Sequence, residues 1–246
     1  MAAPAPIDPA ALTAALVRRP SVTPEDAGCL DLLAETLAPF GFAAHACDRG
    51  AIKNRVFEWR GAPGGPVLGF NGHTDVVPVG DRAAWSVDPF SGLSRDGAIW
   101  GRGAVDMKSG VAAFAAAATA AALDPPAGLG GLALMITGDE EGDGVDGTRA
   151  ILDWMRAEGR RVDHCVVGEP TSAETFGDVM KIGRRGSVTF DFAAVGRQGH
   201  TAYPDRAANP LPALARLLDR LASAELDPGT AHFQPSTLAL TTIDVG

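Results

Sequence analysis

"GFNGHTDVVPVG", Gly69 to Gly80, continues the apolar run "PVLGF" and sets His73 and Asp75 two residues apart, just ahead of a proline. A strand has a side-chain period of two, so both groups lie on one face if the chain stays extended through Thr74. One can then bind a metal while the other holds it in place. For an isolated His-x-Asp a polar strand end is the plainer reading, and ligands in equivalent places elsewhere decide the matter. Three more short apolar runs bounded by turn residues, "NRVFEWR", "LALMITG" and "DHCVVGE", are interleaved with helical patterns at 107–123 and 147–158. Strands alternating with helices predict an α/β fold whose sheet is largely parallel in its core.

Working outward, residues 9–19 and 25–40 read as helices. Asp8 and Pro9 supply an N-cap and first turn, and Gly41 supplies a stop. The alanine tract 112–122 reads as one tightly packed helix. After Lys181 the texture changes: "GSVTFDFAAVG" alternates as a strand, "NPLPALARLLDRLASAEL" is helical, and "STLALTTIDVG" is a second strand. The boundary expected from this divides a first domain over 1–182 from a second, smaller one over 183–246.

A chain of 246 residues is long enough for one large domain or two modest ones. Its net charge of -9 argues against a nucleic-acid surface, which needs clustered Lys and Arg. Cys29, Cys47 and Cys165 are odd in number and widely spaced, as expected of reduced, partly buried thiols. In the N-terminal stretch the arginines follow the apolar residues, the wrong order for a secretory signal, and "GVAAFAAAATAAAL" is too short to span a bilayer. A cytoplasmic protein with no membrane or nucleic-acid partner is the expectation.

Each predicted core strand runs into acidic or imidazole groups: "VLGFNG" into His73 and Asp75, "LALMITG" into Asp139, Glu140 and Glu141, and "CVVG" into Glu169. In open α/β sheets the carboxyl ends of the strands form the ligand crevice. Asp106, in "WGRGAVDMKSG", stands at the start of the helical pattern 107–123, where a helix N-terminus favours an anion. Carboxylates gathered at one sheet edge repel one another unless cations neutralise them. Taken singly, Asp106 reads as a helix cap and Glu140-Glu141 as a solvated turn. "GRGAVD" lacks the third glycine of a dinucleotide fingerprint, "GAVDMKS" lacks the glycine of a P-loop, and "DEEGDGVDG" lacks EF-hand spacing. What remains is a His and carboxylate site suited to zinc or a similar divalent ion.

In "GHTDVVPVG", "WGRGAVDMKSG", "TGDEEGDGVDGT" and "VVGEPT" the chain resembles, in order, the M20 family of dinuclear zinc aminoacylases and peptidases. "GRRGSVTF" and "GRQGHTAYP" resemble its succinyl-diaminopimelate desuccinylase branch, and the likeness runs from about residue 8 to the last. The resemblance implies a zinc-aminopeptidase-like mixed sheet flanked by helices, plus the start of a small α+β lid and dimerisation domain. It implies two zinc ions, with cobalt able to substitute. His73 and Glu169 then bind one ion, Glu141 the other, and Asp106 bridges them. Asp75 accepts a hydrogen bond from His73, and Glu140 is the general base. His200 stabilises the oxyanion from the small domain of the opposite subunit, and Arg184, Ser187 and Tyr203 contact the carboxylates of a dicarboxylic amino-acid substrate; Arg185 is left as a solvent-facing charge.

The reaction so implied is hydrolysis of N-succinyl-LL-2,6-diaminopimelate to succinate and LL-2,6-diaminopimelate, on the route to lysine, by a homodimer. An acetylornithine deacetylase or dipeptidase of the same family, and a non-catalytic metal-binding or dimerisation module, are the competing readings. The family pattern also has a last histidine ligand beyond the small domain. His45, His164, expected to be packed in a strand, and His232 do not match it, so the chain is expected to be a fragment with one good metal site and little activity.

Overall fold

Asp8 does cap the first helix: its Oδ1 accepts the N–H of Ala10 at 2.9 Å, and Pro9 takes the first helical position. The computed structural model describes residues 4–244. Its helices are α1 (Pro9–Val17), α2 (Cys29–Leu37), α3 (Ser109–Leu123), α4 (Thr148–Ala157) and α5 (Leu211–Ala222). Its strands are β1 (Ala43–Ala46), β2 (Arg55–Arg60), β3 (Val67–His73), β4 (Leu93–Arg95), β5 (Ala98–Trp100), β6 (Gly131–Thr137) and β7 (His164–Val167). The second helix starts later than residue 25, because Gly28, with φ of 82°, turns the chain immediately before it. It passes into a short 3-10 turn that Gly41, at φ 84°, closes. By contact the chain divides into two units, one ending at Val179 and one beginning at Met180.

In the first unit the sheet order is β1-β2-β6-β3-β7. The pairs β1·β2 and β2·β6 are antiparallel, while β6·β3 and β3·β7 are parallel, so this is a mixed α/β sheet flanked by helices. Strand β6 is buried along its whole length, as a strand covered on both faces must be. Its period of two sorts the residues: Leu132, Leu134 and Ile136 join the larger core, Met135 the smaller. The larger core holds Leu12 and Leu16 of α1, Leu30 and Leu33 of α2, and Val111, Ala112 and Ala115 of α3. Small side chains let α3 lie close to its neighbours, which accounts for its alanine tract. On the opposite face Ile151 and Met155 of α4 pack on Val56 and Met135.

Strand β7 departs from expectation. It forms the sheet edge and all four residues are exposed, His164 among them, since no described element covers it. Cys29 and Cys47 are buried and Cys165 on β7 is exposed; all three are free thiols.

The second unit also differs. Its helix α5 forms as the pattern predicts, but the expected strands over 186–196 and 236–246 do not appear among the described residues, and 245–246 lie outside them. A strand gains stability from pairing and from one buried face. Here Val188, Phe190 and Phe192 are all exposed, so alternation alone does not order them. No described helix is long and apolar enough to cross a membrane.

Leu134 is fully buried at the centre of β6. Leu134→Ala is expected to lower unfolding stability in urea by about 2–5 kcal/mol. Leu152→Ala on the exposed side of α4 is expected to change it by less than about 0.5 kcal/mol.

Candidate metal centre

The parallel strands β3, β6 and β7 end on the same side, and the chain leaving each carries titratable groups. His73 closes β3 with its side chain fully buried. The N–H of Thr74 donates to the carbonyl of Thr137 at 3.1 Å, so pairing continues past the strand end and brings Asp75 in beside the ring. The Nδ1 of His73 lies 2.8 Å from the backbone carbonyl of Asp75 and 3.5 Å from its Oδ1. A carbonyl only accepts, so Nδ1 carries a proton and Nε2 is left as the outward lone-pair donor.

The Asp75 carboxylate has a further task that sequence reasoning missed. Its two oxygens accept the backbone N–H groups of Glu140, at 3.3 Å, and Glu141, at 3.0 Å. The loop after β6 is thereby tied to the end of β3. Asp139, expected among the site carboxylates, turns inward instead. It is buried, and its Oδ2 accepts the N–H of Asp146 at 2.9 Å, which folds the acidic loop back on itself. Asn54, fully buried, completes that support: its Nδ2 donates to Cys47 and Asp146 carbonyls, and its Oδ1 accepts the Thr137 hydroxyl. A lone Asn before a strand gives no sequence signal of this role.

Asp106 sits in an irregular turn over Ala104–Lys108, and α3 begins only at Ser109. The next-but-one residue, Lys108, is fully buried, and its ammonium donates to the carbonyls of Leu16 and Arg19, both at 2.9 Å. It caps the end of α1, where the helix dipole favours a cation, and holds the Asp106 turn against it. Glu169 follows β7, whose continuation is fixed by the Gly168 N–H donating to Asn71 at 3.1 Å.

These elements converge. His73 Nε2 is 3.1 Å from Asp106 Oδ1, 3.7 Å from Glu169 Oε1 and 3.8 Å from Glu140 Oε2. Among the described residues two groups of side chains could hold a metal ion, His73 with Asp106 and Glu141, and His73 with Glu140 and Glu169. Glu169 and Glu141 fall in different groups, and His73 belongs to both. Burial acts to lower the pKa of His73, but the hydrogen bonds and charge of Asp75, with the charge of Glu140, more than offset it and raise it to about 9. Burial likewise raises the Glu141 carboxyl, and the Asp106 carboxylate adds to the rise. Both shifts say that the cluster gains from positive charge at its centre. The donor set, one imidazole and several carboxylate oxygens, fits a divalent cation such as zinc.

The profile of peptidase family M20/M25/M40 matches residues 69–242. The chain belongs to that family. Succinyl-diaminopimelate desuccinylase from Cereibacter sphaeroides is 60% identical over 241 residues, covering 98% of this chain and 63% of the relative. The enzyme of the same name from Dinoroseobacter shibae is 59% identical over 239 residues, 97% of this chain and 63% of that one. The chain thus spans about 63% of the length of these curated relatives. Among solved structures, a tripeptidase from Staphylococcus aureus superposes with a TM-score of 0.59 at 16% identity, over 91% of this chain and 59% of its own. An M20 family metallo-carboxypeptidase from Sulfolobus solfataricus gives 0.56 at 19% identity, over 65% and 37%. At such identities these two speak for the fold alone.

The remaining expected site residues, Arg184, Ser187, His200 and Tyr203, belong to the second unit and are exposed there. His200 Nδ1 accepts the N–H of Ala202 at 3.1 Å, and its ring lies 5.8 Å from that of Tyr203. Arg185 is exposed, and it donates to the carbonyls of Gln234 and Pro235.

His73 is common to both groups, which leads to a titration experiment. With the 246-residue chain stripped by chelator, His73→Ala is expected to weaken zinc binding by more than about 100-fold. Glu141→Ala is expected to spare one tight equivalent held by His73, Asp106 and Glu169. Equal loss in both variants would count against two separable groups.

Proposed function

We propose that the whole protein hydrolyses N-succinyl-LL-2,6-diaminopimelate to succinate and LL-2,6-diaminopimelate, as a zinc-dependent amidohydrolase. The observation that carries this reading is the 59–60% identity to desuccinylases along nearly all of the chain, joined to a His and carboxylate cluster at the strand ends. Two zinc ions, replaceable by cobalt, would be held by His73, Asp106, Glu141 and Glu169. When bound, they polarise the amide carbonyl and favour ionisation of water.

The chain's own groups do the rest. Glu140, less buried than His73, takes the proton from water as its oxygen adds to the succinyl carbonyl carbon. It then returns that proton to the amine nitrogen as the C–N bond breaks, so succinate and the free diamine leave in balance. Asp75 fixes the His73 tautomer and the place of Glu140 through the bonds already described. His200 accepts a hydrogen bond at Nδ1, which leaves Nε2 as the ring's donor toward the oxyanion. Arg184, Ser187 and Tyr203 bind substrate carboxylates, Arg184 through a charge-assisted pair. A cytoplasmic homodimer in lysine and cell-wall precursor synthesis is part of the same reading. The deacetylase, dipeptidase and non-catalytic alternatives have no observation of comparable weight behind them.

In the whole protein, Glu140→Gln is expected to leave zinc content intact while kcat for succinate release falls by about 100-fold or more. Arg184→Ala is expected to raise KM for the succinylated substrate and to narrow its preference over the acetylated analogue. A wild-type protein that releases acetate from acetylornithine faster than succinate would overturn the substrate assignment.

A further inference from the structure

The residue between Asp106 and Lys108 is used by nothing described so far, yet it lies behind the whole cluster. Met107 is fully buried, and the backbone N–H of His73 points at its sulfur, 3.4 Å away. Two glycines make room for its end. A Cβ built on Gly72 falls 2.7 Å from Met107 Cε and 2.9 Å from the Phe70 ring. One built on Gly168 falls 2.6 Å from the same Cε and 2.4 Å from that ring. Real side-chain atoms do not approach so closely, so neither position accepts alanine without displacing Met107 or Phe70. Phe70 cannot yield cheaply, because it stacks on Phe114 with ring centroids 4.3 Å apart.

The chain positions give this packing its meaning. Gly72 immediately precedes His73, Gly168 immediately precedes Glu169, and Met107 immediately follows Asp106. One thioether therefore touches the backbone beside a ligand on β3 and beside another after β7, and its own backbone carries a third. A flexible unbranched side chain fills such an irregular gap without strain.

We propose that Met107 is a positioning residue, whose side chain, wedged between Gly72 and Gly168, sets the separation of His73, Asp106 and Glu169. The inference rests on the metal-centre reading and adds to it the element that holds three ligands at one spacing. Glu140 and Glu141, held by Asp75, lie outside its reach.

The test is zinc affinity by chelator competition, with the visible spectrum of the cobalt form, on the 246-residue chain. The variants are Met107→Leu, Met107→Val, Gly168→Ala and the double Gly168→Ala/Met107→Val. Met107→Leu keeps most of the length and is expected to stay within about 3-fold of wild type. Met107→Val removes the end of the wedge and is expected to weaken zinc by about 10-fold or more and to change the cobalt spectrum. Gly168→Ala should lose as much, and the double variant should bind more tightly than the two losses combined, because the shortened side chain leaves space for the added methyl.

Wild-type affinity and spectrum in Met107→Val, whatever its thermal stability, would reduce Met107 to a core filler and overturn the proposal. So would losses that simply add in the double variant. Should Met107→Val fail to fold by circular dichroism, Gly168→Ala decides: wild-type affinity overturns the proposal, and weakened binding at an unchanged fold supports it. A wild-type chain that binds neither ion overturns the metal-centre reading and this inference together, whereas binding by wild type with indifferent variants removes only Met107.

Discussion

The carboxylate of Asp75 is the joint on which the site depends. It accepts two backbone N–H groups from the loop after β6, while its own carbonyl takes the Nδ1 proton of His73. Two neighbouring parallel strands are thus locked at their ends by one buried residue, and the tie fixes an imidazole and two carboxylates in a single frame. A buried carboxylate is costly unless it is fully hydrogen-bonded. Here each oxygen has an N–H partner, so the bonds that position the site are the same ones that make Asp75 tolerable in the core.

Around that joint the chain must still hold several negative groups together. It does so from below, with neutral or cationic anchors that do not compete for the site. Lys108 directs its ammonium at the carbonyl end of α1, away from the site carboxylates. Asn54 saturates its amide on backbone and hydroxyl groups beneath the acidic loop. Both are fully buried and both are satisfied, which is the condition under which polar groups stiffen a core instead of weakening it. The ligands therefore sit at a strand end and on turns that hydrogen bonds tie to the core.

Much of this frame was legible in the sequence. The N-cap at Asp8, the apolar runs that became β2, β3, β6 and β7, and the helices over 107–123 and 147–158 follow from local chemistry and period. So does the clustering of His73, Glu140, Glu141 and Glu169, because parallel strands deliver whatever follows them to one edge. What was not legible depends on long-range contact. Asp139 sits in the same acidic run as Glu140, and only the fold decides that it turns inward to Asp146. Alternation over 186–196 looked like a strand, but without a partner the same pattern leaves its aromatics exposed. The Asp75 bonds to Glu140 and Glu141 join residues more than sixty positions apart, and no local rule encodes them.

The gradient of burial across the cluster has its own logic. His73 is completely buried, Glu169 has 16% of its side chain exposed, Glu140 45% and Asp106 51%. The imidazole lies at the floor, where the hydrogen bonds and charge of Asp75 offset the desolvation of its protonated form. Asp106 and Glu140 lie at the rim, where water weakens the repulsion between neighbouring carboxylates. A cation entering from solvent meets the exposed Asp106 and Glu140 first and the buried His73 ring last. The half-exposed Glu140 is open to solvent and the fully buried Asp75 is not, so Asp75 can act only through the groups it holds.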